Sequence, residues 1–114
     1  MGERSVRDRV HAIQVELRDG DVRPDRAREA LIELTSLLGN CIVEFSDAEI
    51  AYTQVLAQAL ETESKANRAR IRAALSPEFR RRQEARALQT LVVELIRSLR
   101  ATLRSIDEEL RLTR

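Results

Sequence analysis

Between Leu31 and Ala73 the side chains that could form a core recur in alternating steps of three and four. They are Leu31, Leu34, Leu38, Cys41, Phe45, Ala48, Tyr52, Val55, Ala59, Thr62, Ala66, Ala69 and Ala73, and only Thr62 is polar. The phase does not slip over six heptads. A strand shows successive residues on opposite faces, so a three-four series falls on one line only if the backbone is helical. The cadence therefore predicts one helix over about 24–74, roughly 75 Å long at about 1.5 Å per residue, carrying a coiled-coil seam. Gly39-Asn40 is its weak point, and Ser46 with Glu49 has the spacing of a capping box, so a kink over 39–47 is the alternative.

Two further helices flank it. Val6, Val10, Ile13 and Leu17 form one stripe of a helix over about 3–18. Gly20 is the expected left-handed cap at its end, and Pro24 cannot lie inside a helix but suits the first turn of the next, where Asp21 or Asp25 supplies negative charge. At the far end Ser76 is the expected cap of a third helix, over about 77–112, with Pro77 and Glu78 in its first turn. Its stripe is Phe79, Ala85, Leu88, Val92, Leu95, Leu99, Ile106 and Leu110.

A tight turn at 75–77 makes the last two helices an antiparallel hairpin. In that register partner numbers sum to about 152, so that Phe79 meets Ala73, Val92 meets Ala59, Leu99 meets Tyr52 and Leu110 meets Cys41. The same arithmetic about residue 21 lays the first helix on 26–40, with Ile13 beside Ala30 and Val6 beside Leu37. The expected fold is all-α: a single domain over 1–114, built as a long antiparallel helical hairpin with a short N-terminal helix on the proximal end of the central one.

Apolar residues left over from the seam mark a second face. Ile42, Val43, Ile50, Leu56, Leu60, Leu91 and Ile96 are the candidate self-association residues, for a homo-oligomer, most simply a dimer with a four-helix core. The plainer account is that they are half-covered seam margins. Aromatic residues make up only 3 % of the chain, so one copy buries a modest core, which also favours association.

No run approaches the roughly 18 apolar residues of a membrane span. The opening MGERSVRDRV lacks an apolar leader core, and Val6 stands where a myristoylation signal has Ser or Thr. The expected location is the cytoplasm of a bacterial or phage-infected cell. Lys65 is the only lysine beside 19 arginines. A GC-rich genome accounts for such a bias, although Arg also suits phosphate and carboxylate contacts.

Catalytic chemistry finds little footing. His11 is the only histidine and Cys41 the only cysteine, with no basic residue near it in sequence. This argues against a Ser-His-Asp triad, a histidine-based zinc site or an activated thiol. The glycines are isolated, so no phosphate-cradling loop exists. Asp107, Glu108 and Glu109 lack the Glu-x-x-His companions of a di-metal site and read as a solvated acidic face. The expected protein is not an enzyme and holds no cofactor or metal.

Charge order is the informative polar feature. From Glu29 to Ser64 there is no Lys or Arg, whereas Lys65, Arg68, Arg70, Arg72, Arg80, Arg81, Arg82 and Arg86 follow, opposed only by Glu78 and Glu84. These eight are the candidate contacts for an anionic partner. A nucleic acid would be bound weakly and without sequence preference, because backbone phosphates carry no base readout. An acidic patch on another protein is the second expectation, and a merely solubilising tip the third.

The stretch AEIAYTQVLAQALETESKANRARIRAAL, followed by LVVELIRSLRATLRSIDEEL, resembles a class of small all-helical coiled-coil proteins from tailed bacteriophages and prophages. The resemblance covers about residues 45–110, and its motifs are of low specificity. SPEFRRR and the first helix fall outside it. It implies a phage or prophage origin and an accessory role near DNA replication or recombination, and no particular activity. The expected function is a self-associating helical adaptor with the Arg-rich tip as contact surface. A direct nucleic-acid-binding accessory protein and a purely structural or regulatory subunit are the alternatives.

Overall fold

A computed structural model describes residues 5–113. They form four helices and no strand: α1 (Val6–Asp19), α2 (Pro24–Thr62), α3 (Ala66–Ala74) and α4 (Pro77–Leu112). The chain is all-α, as its periodicity predicts. Residues 3 and 4, where the first helix was expected to begin, lie outside the described residues. Two compact units are present, one comprising the described residues up to Asn40 with those from Thr90 onward, the other Cys41–Gln89.

In the first unit, the Ser5 side chain caps α1 by accepting from the Asp8 amide at 3.1 Å. Val10 and Ile13 of α1 are buried, as are Ala27, Ala30, Leu34 and Leu37 of α2 and Val92, Ile96 and Leu99 of α4. Two ion pairs fix how α1 lies on α2: Arg9 to Glu33 at 3.2 Å and Arg26 to Glu16 at 2.6 Å. Both agree with the register expected about residue 21. Arg26 grips Glu16 through Nε and Nη2, one to each carboxylate oxygen. This hydrogen-bonded cation holds the Glu16 carboxyl below its usual range and raises the guanidinium's own pKa in turn. Because the pair is partly exposed it contributes about 1 kcal/mol at most, so its effect is mainly on register.

Gly20 departs from expectation. Its backbone is extended (φ −160°, ψ 171°) rather than left-handed, and a Cβ there would meet nothing within 4 Å. Pro24 already ends the turn by opening α2, so a left-handed residue is not needed to stop α1. At Gly39 the helix is unbroken, and the kink weighed over 39–47 does not interrupt it. A Cβ at Gly39 also meets open space. Gly39→Ala is therefore expected to raise stability by up to about 1 kcal/mol, read as a higher urea midpoint at unchanged slope.

The second unit overturns the long helix. α2 stops at Thr62 instead of running to about 74, and Lys65 is extended (φ −124°, ψ 135°) before α3 begins. Thr62, Glu63 and Ser64 bring a β-branched residue and a hydroxyl that compete with helical bonding. The Thr62 hydroxyl donates to the Gln58 carbonyl at 3.2 Å. Arg72, near the end of α3, returns to donate to Thr62 Oγ1 at 3.0 Å and to pair with Glu63 at 3.4 Å. Ala69 and Ala73 are nevertheless buried, with Cys41, Ala48, Ala59 and Ala85. The seam thus serves its purpose in a helix folded back on α2, and small side chains permit the close approach.

The turn near 75–77 exists, but it joins α3 to α4. Ser76 Oγ donates to the Ala73 carbonyl at 2.6 Å and accepts from the Phe79 amide at 3.2 Å, linking the end of one helix to the start of the next. With α3 inserted, α4 meets α2 in a different register. Phe79 packs on Tyr52 with ring centroids 5.4 Å apart. Arg81 reaches Glu44 and Arg82 reaches Glu49, so partner numbers sum to about 130 instead of 152. In the first unit Leu99 shares the lining of a cavity with Ala27.

Candidate interaction surface

The eight basic residues separate into two groups. Arg72, Arg81 and Arg82 are held inside the chain. Arg81 Nη2 lies 2.6 Å from Glu44 Oε1, and Arg82 Nη2 lies 3.3 Å from Glu49 Oε1 with its guanidinium 5.2 Å from the Tyr52 ring centre. Arg82 is half-buried, and its Nε has no hydrogen-bond partner. These arginines neutralise the acidic stem and are not available as a set to an outside anion. Lys65, Arg68, Arg70, Arg80 and Arg86 are exposed. The surplus charge is therefore concentrated on α3 and the first turns of α4.

α3 explains why that charge has an apolar centre. Ala69 and Ala73 are its buried line, so at about 100° per residue Ile71 and Leu75 emerge on the opposite side. Ile71 is 62 % exposed and Leu75 82 %. They stand four residues apart, adjacent on one face, with Arg68 and Arg72 along one edge and Arg70 along the other. Beside Leu75 opens a shallow cavity of about 230 Å³ lined by Ser76, Pro77, Arg80, Arg81 and Glu84. The surface combines an apolar ridge, a recess and forked donors that match carboxylate geometry.

Ile71 and Leu75 were not among the candidate residues. Their one signal was negative: neither fits the three-four seam, and a side chain off the seam is free to face out.

The candidate self-association residues do not stay together. Ile42, Val43, Ile50 and Leu60 are exposed on α2. Leu56 and Leu91 are half-buried, and Ile96 is buried in the first unit at 6 % exposure. Ile96 lies four residues after Val92 and three before Leu99, both buried, and shares their inward line.

Other groups with reactive chemistry lie apart. His11 is exposed, with Nδ1 3.2 Å from Gln14 Oε1. Cys41 is buried, and burial pushes its thiol pKa up, away from the thiolate. Among the described residues no group of three His, Cys, Asp or Glu side chains is arranged to hold a metal ion, and no helix is long and apolar enough to cross a membrane. Comparison of the chain with protein-family models, curated proteins and solved structures gave no match.

Proposed function

We propose that this chain is a helical adaptor that captures an acidic protein segment on the surface formed by α3 and the start of α4. The observation that carries this reading is the pairing of two features: exposed Arg68, Arg70 and Arg80 beside the exposed Ile71–Leu75 ridge. Nucleic acid is the weaker candidate. Phosphates would satisfy the cations but leave the ridge uncovered, and no exposed aromatic side chain stands there to stack on a base. An amphipathic acidic helix satisfies both, with leucines on the ridge and carboxylates on Arg68, Arg70 and Arg80.

Fluorescence anisotropy would test this with two labelled probes at 50 and 200 mM salt, a Glu-rich helical peptide with leucines four apart and a DNA oligonucleotide. The peptide is expected to bind, and either Ile71→Ser/Leu75→Ser or Arg68→Glu/Arg70→Glu should weaken it at least tenfold. Peptide affinity indifferent to both double variants overturns the proposal. So does DNA binding tighter than peptide binding and blind to loss of the ridge, which assigns the surface to nucleic acid.

A further inference from the structure

In the Cys41–Gln89 unit the seam is symmetric about Ser64. Val55, Ala59 and Thr62 stand nine, five and two positions before it, and Ala66, Ala69 and Ala73 stand two, five and nine after it. Neither glycine nor proline occurs between Asn40 and Ser76. The fold-back uses this seam incompletely. Ala59, Ala69 and Ala73 are buried, but Thr62 and Ala66 are exposed. The break also leaves two helix ends with unfavourable charge. α2 ends with Glu61 and no basic residue in its last turn, and Glu63 follows. α3 begins without a side-chain cap at Lys65, with Arg68 and no acid in its first turn. Each end carries the charge that its dipole disfavours.

We infer that this chain forms a dimer by domain exchange, in which 63–65 straightens, α2 joins α3 as one helix over 24–74, and two such helices cross antiparallel on a two-fold axis at Ser64. The symmetry of the seam selects a second copy as the occupant. About that axis Val55 meets Ala73 of the other copy, Ala59 meets Ala69, and Thr62 meets Ala66, so the two exposed seam members become covered. Joining erases both unfavourable helix ends. It also adds the backbone bonds from the amides of 64–68 to the carbonyls of 60–64, none of which the folded-back chain makes. Glu61 and Lys65 then stand one turn apart with the acid first, the favoured order. Ten residues along one helix are about 15 Å apart, so the Arg72–Thr62 bond at 3.0 Å cannot persist within one straightened chain. In the exchanged pair it re-forms between copies, as does the Tyr52–Phe79 contact.

Two costs set the strength. Glu63 and Lys65 flank the axis and approach their own copies, which like charges disfavour. The fold-back also has the advantage of proximity, because its two arms share one chain at an effective concentration on the order of millimolar. The exchanged pair is therefore the minor form in dilute protein and grows as protein concentration nears that range. The inference does not rest on peptide capture, since Ile71 and Leu75 lie opposite the seam in either form.

The test is refolding from urea at about 10 μM and about 1 mM, followed by size-exclusion chromatography with light scattering. A dimer is expected at the higher concentration. Glycine resists the helix that exchange requires, so Ser64→Gly/Lys65→Gly should weaken association at least tenfold. Glu63→Ala/Ser64→Ala favours that helix and removes one like-charge approach, and should strengthen association about tenfold. Cross-linking then locates the axis, in a Cys41→Ala background whose helicity matches the parent. Copies carrying Ala59→Cys, refolded together with copies carrying Ala69→Cys, should give a disulfide-linked mixed dimer. Neither alone should cross-link, because each cysteine lies about 15 Å along the helix from its own copy. A chain that stays monomeric at 1 mM even with Glu63→Ala/Ser64→Ala overturns the inference. So does a dimer that is indifferent to the hinge variants, or one that forms no mixed disulfide.

Discussion

Replacing Leu34 by alanine is expected to cost about 3 kcal/mol of stability, the middle of the range for removing a buried leucine. Leu34 is fully buried among alanines, at 0 % exposure, with Val10, Ile13, Leu37 and Val92 in the same core. Ile32 is the internal control. It lies two positions away on the same helix and is 72 % exposed, so Ile32→Ala should change stability by no more than about 0.5 kcal/mol. Urea titrations followed by circular dichroism would compare the two midpoints. Equal losses at both positions would contradict the helical phase on which the fold rests.

That phase was legible before any coordinates, and the contrast between the two ends of α2 shows why. At the near end, Gly20 and Pro24 bracket a short connection. The axis of the α1–α2 hairpin follows from where the helices must stop, and Arg9–Glu33 and Glu16–Arg26 fall where the arithmetic puts them. At the far end no glycine or proline marks the break after Thr62. Thr62, Glu63 and Ser64 are each tolerable in a helix, and Ala66, Ala69 and Ala73 keep the seam in phase on both sides. Local sequence cannot separate a seam continued straight ahead from one folded back, because Ala69 and Ala73 need burial in either case. The outcome is decided by tertiary packing, in which Ala69 and Ala73 of α3 are buried and Arg72 closes on Thr62 and Glu63.

The candidate surface was half legible for the same reason. Charge order reveals a basic segment between Lys65 and Arg86 regardless of fold. Which arginines are spent on the acidic stem depends on register, and a shift of about 22 in the pairing sum brings Arg81 and Arg82 onto Glu44 and Glu49. In the straight hairpin those two arginines would stand beside 70 and 71, far from any acid of α2. The exposed ridge of Ile71 and Leu75 follows from the burial of Ala69 and Ala73 on the opposite side of the same helix.

Phe79→Ala is the variant that distinguishes the two registers most directly, with an expected loss of about 3 kcal/mol, at the low end for phenylalanine because the ring is half-buried. Its neighbour decides the matter. Phe79 and Tyr52 lie tilted at 55° with centroids 5.4 Å apart, a geometry that adds about 0.5–1.5 kcal/mol beyond area burial. A double-mutant cycle of Phe79→Ala with Tyr52→Ala should therefore show a coupling of about 1 kcal/mol. Tyr52→Ala also releases Arg82 from the ring beneath it, so the cycle is repeated with Arg82→Gln as background. The Tyr52–Phe79 coupling should survive there, because the ring contact does not depend on the guanidinium. Were α2 continuous to residue 74, Phe79 would sit against Ala73 and Tyr52 against Leu99, too far apart to interact. Their losses would then add within about 0.5 kcal/mol. Additivity in both backgrounds would therefore restore the straight hairpin and remove α3 as a separate surface. Coupling in both supports the α2–α4 register that goes with a break at 63–65.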